Sequence, residues 1–295
     1  MTIRPFIYLM IIAAFCGCAK EKVTTPALEV TTSGTTFKAG DTVAFVFRGN
    51  PDNITFYSGE PGRQYEYRRR TTADNDLQVD FSTLVQFGRI YPNLQLMVSN
   101  DFTGIADVEH VKAATWKDLS AKAVFSTGQD NTPSGVVSLK EFADSSRHPL
   151  IYIAFRYADT NKPEGQNRWV VRTFTANSVS ADKVVTPLAT MATAGWKAVD
   201  FRNPAFGWTI TSAQLLMPNS KNTDDNEDWV ISKGFDPTAV KPDQGVALKN
   251  ISNTLAGYKY VFARPGTYRV VFEASAVRYN GEKHITRELT LTITP

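Results

Sequence analysis

The chain has 295 residues, of which 42% are hydrophobic, 12% aromatic and 21% charged. That balance belongs to a globular protein able to bury one or two cores, and it excludes a low-complexity or fibrous chain. A net charge of +3 without a long basic run excludes a nucleic-acid footprint and a strong polybasic membrane patch.

At the start, Arg4 supplies a positive charge and Phe6–Phe15 an apolar run too short to persist as a spanning helix, so residues 1–17 are expected to be a signal peptide. The run ends in Phe15-Cys16-Gly17-Cys18, which resembles a lipobox, where a small residue precedes the cysteine left at the new terminus. Gly17 meets that need for Cys18, whereas bulky Phe15 does not meet it for Cys16, which departs with the signal. The expected mature protein therefore begins at a lipid-bearing Cys18, holds no disulfide and works outside the cytoplasm. Residues 18–27 are polar, without apolar periodicity, and read as a tether. The Lys20-Glu21 pair within them resembles the charged export signal of Bacteroidetes lipoproteins, which implies an outer-membrane location facing the cell exterior.

From Leu28 onward the fold class is expected to be all-β, because short runs of alternating apolar and polar residues are punctuated by Gly, Pro and Asn. Thr42–Phe47 places Val43, Phe45 and Phe47 on one face. Ile54–Tyr57 and Gln64–Tyr67 are the next two expected strands, and Arg68-Arg69-Arg70 reads as a solvated strand end. A short helix is expected over Asp107–Trp116, where Val108, Val111 and Thr115 share a face. Ile151–Tyr157 and Arg168–Phe174 are strands joined by the loop Asp159–Asn167. Near the end, Tyr268, Val270, Phe272 and Ala274 share a strand face, and Leu289, Leu291 and Ile293 mark a final strand.

The two ends look like halves of one sandwich. Gly40-Asp41-Thr42-Val43-Ala44-Phe45 resembles the opening of a polycystic-kidney-disease (PKD) type immunoglobulin-like module, and Tyr260–Val270 (YVFARPGTYRV) resembles a segment near such a module's end. Pro265-Gly266 suits the centre of a type II turn. The expected organisation is a sandwich built from residues 28–73 and 242–295, split by an insert at 74–241. The insert holds all five tryptophans: Trp116, Trp169, Trp196, Trp208 and Trp229. Its order of strands, one early helix and a late tryptophan-bearing strand is similar to the galactose-binding-like jelly roll.

Taken whole, the chain resembles a Bacteroidetes family of surface lipoproteins of unknown function. The resemblance rests on Gly49–Gly62 (GNPDNITFYSGEPG), Asn100–Gly104 (NDFTG) and Tyr152–Tyr157 (YIAFRY). It implies association with polysaccharide-utilisation systems, a polysaccharide or oligosaccharide as ligand, and a neighbouring outer-membrane glycan transporter as partner. Fold alone does not carry that function.

Motifs for chemistry are missing. There is no G-x-S-x-G elbow, H-E-x-x-H or P-loop, and His110, His148 and His284 have no metal-ligand spacing, so no catalytic residue is expected. The acidic segment Asn219–Trp229 offers Asp224, Asp225 and Asp228 as candidate calcium ligands, although its spacing departs from the D-x-[DN]-x-[DN]-G loop. For a glycan, Trp229 beside that segment is the first candidate platform, followed by Trp208 and Tyr157. The reading is thus a non-catalytic carbohydrate-binding surface lipoprotein. The alternatives are a structural or protein-interaction lipoprotein and a glycoside-active enzyme, which needs two carboxylates facing across a cleft.

Overall fold

A computed structural model describes residues 22–144, 146–147, 149–219, 221 and 224–295. The expected signal peptide, Cys18 and the Lys20-Glu21 pair lie outside the described residues, as do His148 and, in the acidic segment, Ser220, Asn222 and Thr223.

Nearly every element is a strand. The chain opens with β1 (Glu29–Thr31), β2 (Thr36–Lys38), β3 (Thr42–Arg48) and β4 (Asn53–Tyr57). There follow β5 (Asp76–Gln86), β6 (Leu94–Ser99), the helix α1 (Val108–Ala113), β7 (Lys117–Asp118), β8 (Thr132–Pro133), β9 (Val137–Ser138) and β10 (Tyr152–Asp159). Then come β11 (Arg168–Val179), β12 (Val185–Thr190), β13 (Lys197–Arg202), β14 (Thr209–Ile210), β15 (Leu215–Met217) and β16 (Asn226–Ile231). The chain closes with β17 (Val246–Lys249), β18 (Gly257–Val261), β19 (Gly266–Arg278) and β20 (Gly281–Thr294). The strands form two compact units, one from residues 22–69 and 243–295 and the other from 70–242.

In unit 1 a three-stranded sheet, β1-β3-β18, and a five-stranded sheet, β17-β4-β19-β20-β2, share one core. The period of two in β3 explains why: Val43, Phe45 and Phe47 are buried while Thr42, Ala44 and Val46 face water. Phe45, Phe47 and Phe56 surround Phe272 of β19, with ring centroids 5.0, 5.2 and 5.1 Å away. Gly49 ends β3 at φ +101°, where a Cβ would lie 2.2 Å from the Ala27 carbonyl oxygen, so only glycine closes this turn.

Three expectations fail here. Tyr65–Tyr67 is a 3₁₀ turn, not part of a strand. The Tyr65 ring packs edge-on against Tyr57 at 5.2 Å, its hydroxyl reaches Glu273, and the Arg68 guanidinium lies 3.7 Å over its face. Arg68 therefore covers an aromatic ring and is not a solvated strand end. Gly266 is the first residue of β19, paired with Ile293, and does not adopt the positive φ that a type II turn demands.

In unit 2 the sheet β13-β16-β10-β6-β7 faces a second sheet, β14-β15-β11-β5-β8, to which β12 and β9 add at β11 and β5. Between them lies a core that includes Phe81, Phe155, Trp169, Phe174 and Val230. The first sheet is covered on its outer side as well, by the segment around α1, so β10 is buried on both faces. One end of this core is polar. The Asp159 side chain, fully buried, accepts hydrogen bonds from Tyr91, Asn93, Tyr157 and the Thr160 amide, and pairs with Lys162 at 2.7 Å. Asn93 in turn accepts from the Trp169 indole at 2.6 Å.

Candidate functional site

On the outer side of the first sheet of unit 2, alternation along β16 sends Glu227, Trp229 and Ile231 outward and Asn226, Asp228 and Val230 inward between the sheets. The outward row is roofed in part by α1. Asp107 caps that helix by accepting from the His110 amide at 2.8 Å, and Val111 is its buried residue. Asp101 pins the flanking segment by accepting from the Ser99 hydroxyl and the Thr115 amide. Trp116 donates to the Val111 carbonyl at 3.0 Å and packs against Trp229 at 5.2 Å.

Between α1 and this face lies a recess of about 300 Å³, lined by Met97, Val111, Lys112, Phe201, Trp229 and the pair Arg156–Glu227. The Arg156 Nε donates to Glu227 Oε1 at 2.9 Å and its Nη1 to Gln95 at 2.6 Å. The Trp229 indole N–H donates to the same Glu227 oxygen at 3.3 Å. Burial pushes the Glu227 carboxyl up, but Arg156 and Trp229 outweigh it and hold the group below its ordinary value. The recess thus has an apolar aromatic floor and a rim of fixed charges of both signs. Arg156 and Glu227 keep 29% and 22% of their side-chain surface, enough to meet a ligand. A larger recess, about 420 Å³, is lined by Lys122, Val136, Val137, Ser138, Lys140 and Glu141 and offers no aromatic surface.

The residues singled out in the sequence fall in different places. Trp229 floors the recess, 6% exposed. Tyr157 is wholly buried, its hydroxyl donating to Asp159 and the Asn167 carbonyl, and burial followed by the Asp228 charge raises its phenol. Trp208 is buried against the inter-sheet core, its indole N–H directed at the Asp228 carbonyl at 3.3 Å. Tyr157, with no exposed surface, cannot stack on a ligand, and Trp208, 7% exposed, is not among the residues that line the Trp229 recess. The polar character of their tips serves internal hydrogen bonds instead.

Asp224, Asp225 and Asp228 do not converge as the acidic segment suggested. Asp225 accepts from the Asn161 amide and faces Arg202 at 3.6 Å, and the Asp224 carbonyl accepts from Gln166. Asp228 is carried by the strand to the inner face, where burial and the adjacent Asp200 push its carboxyl up to about 8. Among the described residues, no group of three or more His, Cys, Asp or Glu side chains gathers. His110 on α1 caps against Asp107, and His284 on β20 lies among Glu273 and Glu282.

Sequence reasoning missed Arg156, Glu227, Lys112 and Phe201. A signal existed: Arg156 is the charged interruption in an apolar strand, and Glu227 shares Trp229's parity two residues away. A family model described as "Domain of unknown function (DUF5017)" matches residues 17–196, which takes in Met97, Lys112 and Arg156 and ends before Phe201, Glu227 and Trp229. No curated protein and no solved structure matches the chain.

Proposed function

The chain belongs to the DUF5017 family, and from the recess at Trp229 we propose that it is a non-catalytic, lipid-anchored surface protein that captures polysaccharide. The observation that carries this reading is the pairing of an indole floor with the Arg156–Glu227 rim. Sugar rings present C–H faces that stack on an aromatic surface and hydroxyls that both donate and accept, so a carboxylate and a guanidinium fixed side by side suit them. In this reading unit 1 is a PKD-type immunoglobulin-like sandwich and unit 2 a galactose-binding-like jelly roll. Cys18 ties both to the outer membrane, facing the exterior, within a polysaccharide-utilisation system whose glycan transporter is a neighbour.

Affinity gel electrophoresis over a polysaccharide panel tests the site. At least one glycan is expected to retard the wild-type protein, and Trp229→Ala and Arg156→Ala should each weaken retention about tenfold or more, with thermal melts confirming that the variants fold. Release of reducing sugars from a retained glycan would make the protein an enzyme. Retention by none of a broad panel would favour the structural or protein-interaction role.

Anchoring is tested separately. Cys18→Ala should abolish palmitate labelling and move the protein from the membrane to the soluble fraction, because stable attachment takes the two or three chains of an acylated cysteine. A mutant that still incorporates palmitate would show that Cys18 is not the lipid site.

A further inference from the structure

A second cavity opens on the same outer side of unit 2's first sheet, at the end of β16 away from Glu227. Ile231 lies there, and Lys197 of β13 is paired directly across from it, so both side chains share that face. The cavity holds about 190 Å³, and its floor is apolar: Phe102, Ile231 and the ring of Tyr152, which meets Phe102 edge-on at 5.0 Å. Glycine keeps it open. At Gly104, where φ is +82°, a Cβ would lie 2.8 Å from the Tyr152 hydroxyl oxygen, and at Gly234 a Cβ would lie 2.9 Å from the carbon that bears that oxygen.

Tyr152 is 8% exposed, and among the described residues its hydroxyl has no hydrogen-bond partner. Buried phenols normally find one, as Tyr157 does at Asp159 and the Asn167 carbonyl. The Tyr152 side chain lines the cavity instead. The charged residues that line it are Lys197 and Lys233, both exposed, and among the described residues neither pairs with a carboxylate. By contrast Lys117, Lys122, Lys140 and Lys162 of the same unit each meet an Asp or Glu. The cavity therefore combines an unspent O–H donor, two uncompensated positive charges and no acid in its lining.

We propose that this cavity binds the carboxylate-bearing ring of an acidic sugar, a hexuronate. That the body of the ligand is a sugar rests on the glycan capture proposed above, whereas its negative charge follows from the cavity alone. A carboxylate only accepts, so a free phenol O–H and two ammonium groups suit it, and charge-assisted bonds of this kind are the stronger ones. The apolar floor meets the C–H side of the ring. A volume below the roughly 300–1,000 Å³ of sites for drug-sized ligands is on the scale of a single sugar ring.

The probe is D-glucuronate, titrated into the protein by calorimetry with D-glucose and acetate alongside. D-glucuronate should bind at least about tenfold more tightly than either, and high salt should weaken it because both lysines are exposed. The double variant Lys197→Ala/Lys233→Ala should lose at least about tenfold in affinity, whereas Lys259→Ala, an exposed lysine of unit 1, should lose none. Tyr152→Phe should weaken binding about fivefold and leave the thermal midpoint unchanged, since the hydroxyl has no internal bond to forfeit. A lowered midpoint with unchanged affinity would make that hydroxyl structural and remove it from the site. No glucuronate binding, or binding undiminished in the double variant, would overturn the acidic-sugar site, and retention of a neutral glycan on the affinity gel would still leave the capture at Trp229 standing. Acetate binding as tightly as glucuronate would overturn the assignment to a sugar.

Discussion

Phe272→Ala is expected to cost unit 1 about 3–5 kcal/mol, the range for deleting a phenyl ring from a packed core. The ring has no exposed surface and touches Phe45, Phe47 and Phe56, so the cavity it leaves is walled by three aromatics that cannot all close in. A loss of that size is a large share of the stability of an ordinary domain. Because all five tryptophans lie in unit 2, their fluorescence does not follow this unit. Hydrogen exchange is the better measurement, and protection should fall across β3, β4 and β19 together, although β3 and β4 are far from β19 in the chain. A variant in which β19 loses protection while β3 keeps it would show that the strands do not share one core.

Asp159→Ala should cost unit 2 a comparable amount, about 3–5 kcal/mol, for a different physical reason. The substitution removes little apolar area. It leaves Tyr91, Asn93, Tyr157 and the Thr160 amide without their acceptor and Lys162, 14% exposed, without its counter-charge. Unsatisfied buried donors lose their full hydration and regain nothing. Here tryptophan fluorescence is the right signal, since Trp169 donates to Asn93 within the same network. Its unfolding midpoint in urea should drop sharply, and Asp159→Asn, which keeps an acceptor oxygen, should recover part of the loss. If alanine and asparagine variants unfold at the same midpoint as the wild type, the network contributes nothing to stability.

Much of the all-β fold is legible in local pattern. Alternation in Thr42–Phe47 marks β3 with its buried face, and the spacing of Val108 and Val111 after Asp107 marks α1. Pattern fails where contacts distant in sequence decide the conformation. Gln64–Tyr67 alternates like a strand, yet Tyr65 is turned by Tyr57, Arg68 and Glu273 into a 3₁₀ turn. Pro265-Gly266 has turn chemistry, yet β20 captures Gly266 into a ladder. The candidate site was half visible. Trp229 stood out by its polar neighbourhood, but offering Tyr157 beside it overlooked the parity of β10 and β16: Tyr157 lies opposite Asp228, which faces inward, while Trp208, outside both strands, packs into the inter-sheet core. The same parity hides Asp228 from the loop that precedes it, and no local rule announces that Asp200, in another strand, is paired opposite it.

The construction of unit 1 has a consequence for how the protein is made. Strand β3 has β1 beside it early, but its other edge awaits β18, and β4 awaits β17 and β19, all synthesised after the whole of unit 2. At about 5–20 residues per second, β3 and β4 wait on the order of ten seconds or more with unpaired edges and bare phenylalanines. A segment such as Val43–Phe47 is adhesive in that interval. Unit 1 can complete its core only once both halves have emerged, so the early half gains from whatever keeps it shielded or extended until then.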